Sequence, residues 1–287
     1  MDAKSYLDAH GVEAKLKSAV TDAIKHRPED PIAFIIEHLA KVSGASAAAN
    51  GTSKPIRVIA ESFFSMVARL RESPSLYEGS TAKCRYASLV ETPTLMAGVW
   101  TCEPDVYEQS GYEVDEFGLI LSGRLQVTEA DGTSRVLVKD DAFFIPSGWT
   151  GRFDFFEDLS KLYIIMPKLT PNDDVKGGPA IVDSCASMLA RLQEQKVDYT
   201  NAQTTHALML ERSKLKMEMC TCEPDSVERD GYEIDELSVM LSGRLKLTDA
   251  DGISRELVKG DVFYIPKGWS GRWEVLEPIS RFHAVMA

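Results

Sequence analysis

The chain has 287 residues, of which 44% are hydrophobic and 26% charged. This composition is typical of a globular protein with two domains and excludes a disordered or fibrous chain. The formal net charge of −12 argues against a nucleic-acid partner, because nucleic-acid binding needs a basic face. No apolar run reaches the about 20 residues that span a bilayer, and the N-terminus lacks the apolar stretch of a secretory signal. The five cysteines are odd in number and form no CxxC pair. We therefore expect reduced thiols, a cytoplasmic location and no membrane insertion.

The first 42 residues predict a helical hairpin. Apolar residues recur there at helical spacing in two runs, and Asp30-Pro31 between the runs is a typical helix start. A lone hairpin cannot bury so wide an apolar stripe, so we expect it to pair with a second copy. The residues predicted to form this surface are Leu7, Val12, Leu16, Val20, Ile32, Ile35, Ile36 and Leu39.

This segment, above all "RPEDPIAFIIEHL" (27–39), resembles the dimerisation and docking (RIIa-type) domain of the type II regulatory subunit of protein kinase A. The resemblance implies a homodimer whose groove docks an amphipathic helix of an anchoring-type protein. It also implies a ciliary or cytoskeletal location. Residues 43–55 are small and polar and predict a flexible linker. The alternative is an ordinary hairpin packed on the rest of the chain.

The remainder of the chain is a repeat. From Thr101 and Thr221 onward, 120 positions apart (221 − 101 = 120), more than half of the aligned residues are identical. A helical block, "SMVARLRE" and "SMLARLQE", precedes each copy. Short strands separated by turns such as Asp131-Gly132 and Asp251-Gly252 predict a β-sandwich or β-barrel. We place the two domains at 56–169 and 170–287.

Two spaced motifs in each repeat are similar to those of the cupin superfamily. The first is a Glu followed after six residues by Gly, at Glu116–Gly123 and at 236–243. The second is "DDAFFIPSG" (140–148) and "GDVFYIPKG" (260–268), ending in Pro-x-Gly. The sequence of these motifs most resembles that of the cupins of ureidoglycine aminohydrolase and of ethanolamine utilisation. The resemblance implies a mainly β fold with two tandem jelly-roll barrels after a small α-helical hairpin.

Metal-binding cupins carry a His-x-His pair before the Glu and a His after the Pro-x-Gly turn. This chain has Ser110, Tyr112 and Gly151 there, or Gln109 and Gly111 for the pair with the longer spacing. The second repeat also lacks all three histidines, with Asp230, Tyr232 and Gly271. One remaining carboxylate cannot hold a metal. We therefore expect no metal and no other cofactor.

Strand alternation predicts which side chains line the barrels. If Glu116 and Glu236 point inward, the cavities contain Tyr112, Phe153, Tyr232 and Trp273. Each Glu could act as an acid or base, or it could pair with a repeated arginine, Arg124 or Arg152 (Arg244 or Arg272 in the second repeat). His283 on the last strand could stand beside Glu236. The candidate catalytic residues are Glu116, Glu236 and His283.

Three functions follow from these features. The docking resemblance and the missing metal ligands favour a dimeric adaptor without enzymatic activity. The cupin resemblance supports an enzyme instead, similar to ureidoglycine aminohydrolase or another small-molecule hydrolase, lyase or isomerase. The aromatic cavities also suit a sensor that binds a metabolite without converting it.

Overall fold

The structure is a computed structural model, and it describes residues 17–18, 20–22, 24–25, 56–73, 80–92, 95–166, 179–194, 203–212 and 215–286. The chain divides into two compact units, Met1–Lys54 and Pro55–Ala287. Most of the predicted docking residues lie outside the described part, as does the predicted linker. These are Leu7, Val12, Leu16, Ile32, Ile35, Ile36 and Leu39. Val20 is described; it is helical and 42% exposed.

The first repeat forms a short helix and a set of strands. They are β1 (Ile59–Ser62), α1 (Phe63–Ala68), β2 (Arg71–Glu72), β3 (Cys84–Glu91), β4 (Met96–Cys102), β5 (Asp105–Gln109), β6 (Asp115–Ser122), β7 (Leu125–Glu129), β8 (Ser134–Leu137), β9 (Asp141–Ile145), β10 (Gly151–Phe155) and β11 (Leu159–Met166). Ser62 starts α1 as its N-cap and accepts a hydrogen bond from the Ser65 backbone.

The second repeat follows the same order with two longer strands. They are β12 (Ile181–Ser184), α2 (Cys185–Ala190), β13 (Gln193–Glu194), β14 (Thr204–Arg212), β15 (Leu215–Cys222), β16 (Asp225–Arg229), β17 (Asp235–Asp249), β18 (Ser254–Val258), β19 (Asp261–Ile265) and β20 (Gly271–Met286). In the described part of the chain, no helix is long and apolar enough to cross a membrane.

The strands of each repeat close around their own interior. In the first repeat, a seven-stranded sheet (β12-β9-β6-β11-β4-β3-β2) faces a four-stranded one (β5-β10-β7-β8). In the second, β17 and β20 are long enough to run through both layers, so nine strands join in one sheet. The predicted mainly β class with two tandem barrels is confirmed.

The two barrels exchange their first strands. β1 stands at the start of the first repeat but pairs antiparallel with β19 of the second, Ile59 opposite Tyr264. In the same way β12 pairs with β9 of the first repeat, Ile181 opposite Phe144. Each barrel is therefore completed by a strand from the other repeat.

A single apolar core lies between the barrels and is separate from their two interiors. It takes buried residues from both repeats, including Met66, Leu119, Met188 and Met217. At its centre the rings of Phe117 on β6 and Phe282 on β20 stack, with centroids 4.6 Å apart and planes 8° apart. Apolar burial on this scale stabilises the pair of barrels as one unit.

The turn that opens the second motif needs a backbone with positive φ. Gly260 supplies it in the second repeat with φ +89°, whereas Asp140 adopts φ +70° in the first. Aspartate tolerates this region better than most residues because its short side chain can bond locally. The substitution of Asp for Gly therefore keeps the motif's turn.

The prediction that all thiols are reduced is wrong for one pair. Cys84 on β3 and Cys102 on β4 face each other in register and are joined as a disulfide. The sequence spacing hid this pair because cross-strand partners are set by the register of β3 on β4. Cys185, Cys220 and Cys222 are free.

We expect Phe117→Ala to lower the free energy of unfolding by about 3–5 kcal/mol, because it leaves a cavity in the core that both barrels share. Urea unfolding followed by circular dichroism measures the change. Phe64→Ala is the control: Phe64 is 86% exposed and its loss should cost little. A loss below about 1 kcal/mol for Phe117→Ala would contradict a shared core.

Candidate functional site

An Asp-Glu pair stands at the start of both β6 and β17, and its two side chains lie on opposite faces of the strand. Neighbouring strand residues point to opposite sides. Asp115 accepts a hydrogen bond from the Ser147 backbone at 2.8 Å, and Asp235 accepts one from the Lys267 backbone at 2.9 Å. The aspartates thus hold the Pro-x-Gly turns. The glutamates point into the barrels and are almost fully buried, at 3% exposed for Glu116 and 1% for Glu236.

In the first barrel the buried Glu116 meets a lysine. Lys161 on β11 donates from Nζ to Glu116 Oε1 at 2.5 Å, and the Tyr112 hydroxyl donates to Oε2. The Lys161 ammonium also lies 4.8 Å from the Trp100 ring centroid and 5.4 Å from that of Phe143. Cation–π attraction and the ion pair together hold the lysine at the floor of the barrel.

Above this ion pair is a cavity of about 520 Å³, the size of a small-ligand site. Half of the residues that line it are aromatic: Tyr86, Trp100, Tyr107, Tyr112, Phe153, Phe155 and Tyr163. Burial, together with the charge of Glu116, raises the pKa of Tyr107 to about 12. The same two causes place the pKa of Tyr112 well above its ordinary value, so both phenols are neutral hydrogen-bond donors.

In the second barrel the buried Glu236 meets an arginine. Arg281 on β20 pairs with Glu236 Oε1 and donates to Ser238 Oγ at 2.6 Å. The Tyr232 hydroxyl donates to Oε2 at 2.5 Å. Burial raises the pKa of Glu236, but the charges of Arg281 and His283 outweigh it and lower that pKa to about 2. The guanidinium lies 4.9 Å from the Trp273 ring centroid, and only about 50 Å³ of cavity remains.

A second polar cluster lies next to this arginine. Glu218 Oε1 accepts from His283 Nε2 at 2.9 Å and from His206 Nδ1 at 3.0 Å. Cys220 Sγ is 3.7 Å from His283 Nδ1. Burial raises the pKa of Cys220, but the Arg281 and His283 charges lower it more, to about 7. The cluster therefore combines a readily ionised thiol with two imidazoles.

The expected arginine partners of the two glutamates are wrong. Arg152 pairs with Asp154, and Arg124 lies over the Phe156 ring. Arg244 pairs with Glu256 and Glu277, and Arg272 with Glu228 and Glu274. All four stand at turns or on the outer face of a strand. The partners are instead Lys161 and Arg281, which occupy one aligned position (161 + 120 = 281) on the last strand.

The expectation that the chain can hold no metal is also wrong. The cupin motif positions do lack histidines, since Ser110, Tyr112 and Gly151 and their counterparts stand there. A different group offers metal ligands: the donor atoms of His206, Cys220 and His283 all lie within 4.8 Å of one another. The sequence argument failed because it considered only the motif positions.

The structure separates the predicted site residues into two cavities. Tyr112 and Phe153 line the first with Glu116, and Tyr232 and Trp273 line the second. His283 hydrogen-bonds to Glu218 and Cys220 instead of Glu236. Sequence reasoning missed Lys161, Arg281, His206, Glu218 and Cys220. Aligning the repeats at 120 positions would have shown that these positions differ between the two.

Comparison with known proteins agrees with this architecture. Residues 91–163 and 215–283 match the EutQ-like cupin domain. The chain has the fold of a bicupin. A protein of unknown function of the DUF861 family from Pseudomonas syringae pv. tomato superposes with a TM-score of 0.64 at 17% identity, covering 81% of this chain and 100% of that one.

Two further solved structures share the fold of this bicupin. Ylba from E. coli, also of the DUF861 family, has a TM-score of 0.56 at 11% identity and covers 85% of this chain and 97% of its own. A cupin 2 conserved barrel domain protein from Leptotrichia buccalis has 0.55 at 12% identity, covering 82% and 99%. No curated protein matches the sequence. At these identities the likeness is one of fold.

Glu236→Gln tests the ion pair of the second barrel. The folded pKa of about 2 lies below the ordinary 4.5, so the carboxylate contributes stability above pH 4.5 that is lost as the pH falls towards 2. We expect the variant to be less stable by about 3 kcal/mol at pH 7, with the difference from wild type shrinking on acidification.

Urea unfolding at several pH values from 7 to 3 measures this difference. Glu228→Gln is the control, because the Glu228 side chain is 76% exposed and its pair with Arg272 is loose at 3.7 Å. A difference for Glu236→Gln that stays constant with pH would show that the charge of Glu236 does not contribute to stability.

Proposed function

We propose that the bicupin binds a small organic molecule in its first barrel and that Glu116 can exchange a proton with it. The observation that carries this proposal is the aromatic cavity of about 520 Å³ that ends at the Glu116–Lys161 pair. Such a cavity combines an apolar wall with a few convergent polar groups, the usual composition of a ligand site. The confirmed cupin fold supports the same conclusion, because cupin barrels enclose ligands.

The wall of the cavity favours a ligand with a flat, apolar body. Phe153 stacks on Tyr107 with ring centroids 5.5 Å apart and lies 6.3 Å from Tyr112. Rings held against each other in this way keep their faces and edges fixed, so a planar ligand can stack on them without reordering the wall.

The floor of the cavity favours a head group that both donates and accepts hydrogen bonds. The Lys161 ammonium is a donor and the Glu116 carboxylate is an acceptor, 2.5 Å apart. An amide or ureide presents an acceptor and a donor at similar spacing. A purely anionic head would bind Lys161 but leave Glu116 unpaired in an apolar site, which is costly. We therefore favour amide-like ligands over carboxylates.

The same arrangement supports proton transfer. Lys161 and Tyr112 both donate hydrogen bonds to Glu116 at the end of the cavity. A carboxylate that faces a ligand in a cavity with a largely apolar wall can accept a proton and return it. This chemistry suits a hydrolase, lyase or isomerase.

We expect the double variant Glu116→Gln/Lys161→Met to bind aromatic amides at least 10-fold more weakly than wild type. It removes both charges at similar volume, so neither is left buried alone. Benzamide, indole and phenylacetate serve as probes, with binding followed by Trp fluorescence and by the shift in melting temperature. Benzamide should bind best and lose most in the variant.

Trp273→Phe in the second barrel is the matched control and should bind the probes as wild type does. The proposal fails if no probe binds to the wild-type protein. It also fails if the double variant, shown to be folded by circular dichroism, binds benzamide with unchanged affinity.

We propose a second, separate function for the N-terminal unit: pairing with a second copy and docking of an amphipathic partner helix. Val20 and Ile24 are one helical turn apart and are 42% and 70% exposed. Exposed apolar residues spaced in this way suit a helix–helix interface. The homodimer and the ciliary or cytoskeletal location rest on this proposal.

Deleting residues 1–50 tests the proposed pairing. We expect the full chain to sediment as a dimer and the shortened chain as a monomer with an unchanged β-sheet spectrum. Val20→Asp/Ile24→Asp in the full chain should have the same effect through charge repulsion. An unchanged oligomer in the deletion variant would refute the proposed pairing.

A further inference from the structure

The polar cluster beside the second cavity contains side chains that can bind a metal. Three neighbouring strands bring it together: His206 on β14 is paired with Cys220 on β15, and Glu218 on β15 with His283 on β20. Cys220 and His283 are buried at 4% exposed each, and the His206 side chain is 14% exposed. None of these residues stands at a cupin motif position.

Glu218 orients both imidazoles. It accepts from Nδ1 of His206 and from Nε2 of His283, so the opposite ring nitrogens face away from the carboxylate. Nδ1 of His283 faces Cys220 Sγ and can bind a metal once its proton is released. A carboxylate that holds the far side of a histidine in this way is the usual support of a metal ligand. Its other oxygen is occupied by Lys216 Nζ at 2.7 Å.

His206 Nε2 provides an independent sign of a missing ligand. It is a buried nitrogen without a hydrogen-bond partner, and such atoms are rare because losing a bond to water costs free energy. One donor atom from each of His206, Cys220 and His283 lies within 4.8 Å of the other two. A metal bound to all three would satisfy that nitrogen.

We propose that the second barrel binds one zinc ion through His206 Nε2, Cys220 Sγ and His283 Nδ1. A thiolate with two imidazoles suits zinc, which prefers sulfur and nitrogen in a tetrahedral shell at about 2.0–2.3 Å. Such bonds place the donors about 3.5 Å apart, so the cluster needs to close by about an ångström around the ion.

The fourth position of the zinc ion opens into the second cavity, because His206 and Cys220 both line it. That cavity has a volume of about 50 Å³, which is large enough for water and too small for a ligand of the size that the first barrel holds. Water could therefore complete the shell of a bound zinc ion, and the site would be independent of the ligand proposed for the first barrel.

The first repeat cannot form the same site. The positions aligned with His206, Glu218, Cys220 and His283 are Tyr86, Gly98, Trp100 and Tyr163. Aromatic rings replace all three donors there and line the larger cavity instead. The described part of the chain therefore predicts a stoichiometry of one zinc ion per chain.

Metal-free full-length protein titrated with Zn²⁺, and separately with Co²⁺, tests the proposal. We expect one ion per chain by mass spectrometry under native conditions, a rise in melting temperature with Zn²⁺, and a thiolate-to-cobalt charge-transfer band with Co²⁺. Cys220→Ser and His206→Gln should each weaken binding by at least about 100-fold, and Glu218→Gln by about 10–100-fold.

Cys222→Ser is the matched control, because Cys222 lies two residues away on the same strand and is free; it should bind Zn²⁺ as wild type does. If Cys220→Ser does not fold, the wild-type protein provides the test: bound Zn²⁺ should protect its Cys220 thiol from alkylation. The proposal is overturned if wild type binds no stoichiometric metal, if Cys220→Ser keeps its affinity, or if Zn²⁺ leaves Cys220 open to alkylation.

Discussion

A carboxylate buried in each barrel determines much of what surrounds it. Glu116 and Glu236 are almost completely removed from water, and an unpaired charge in such a place costs several kcal/mol. In cupins with the motif histidines, a metal ion supplies the positive charge. Here a side chain supplies it, Lys161 in one barrel and Arg281 in the other, both from the same position of the last strand. The buried acid of each barrel is thus balanced by a fixed cation of the same chain.

The two cavities differ in size as well as in the cation beside the buried acid. The lysine ammonium is compact and leaves the wall of the first barrel free, with about 520 Å³ open. The planar guanidinium of Arg281 reaches both Glu236 and Ser238 and lies over Trp273, so it fills the second interior. In the first repeat, the position that corresponds to Ser238 is Gly118. The Phe143 ring there occupies the space that a Cβ at Gly118 would need. One duplicated barrel therefore offers a ligand cavity and the other a closed polar interior.

The repeat, the fold class and the inward direction of the two glutamates could be predicted from the sequence, because strand alternation and turn residues are local signals. The cation partners could not be predicted in this way. Lys161 is 45 residues from Glu116, and its place depends on the pairing of β11 with β6, including the register shift between Ser160 and Lys161. The exchange of β1 and β12 is equally hidden, since nothing in a short strand's own residues says which barrel it completes.

The cluster of His206, Cys220 and His283 is even harder to predict from the sequence. Sequence motifs predict metal sites when the ligands share one strand or one helix, and here each ligand comes from a different strand. Cys220 shares its strand with Cys222, but its contact is with His283 on the adjacent strand. Only the sheet register, with His206 opposite Cys220 and Glu218 opposite His283, creates the group.

The shared core and the two sites lie on the same strands, which links stability to function. On β6, Glu116 points into the first barrel and the next residue, Phe117, into the core between the barrels. On β20, Arg281 and His283 point into the second barrel, and Phe282 between them stacks on Phe117. Because alternation fixes neighbouring side chains on opposite faces, the packing of one ring pair also orients the charged groups of both barrels. The duplicated domain can therefore keep one rigid interface while its two interiors diverge, since the residues that define the sites are not the residues that hold the barrels together.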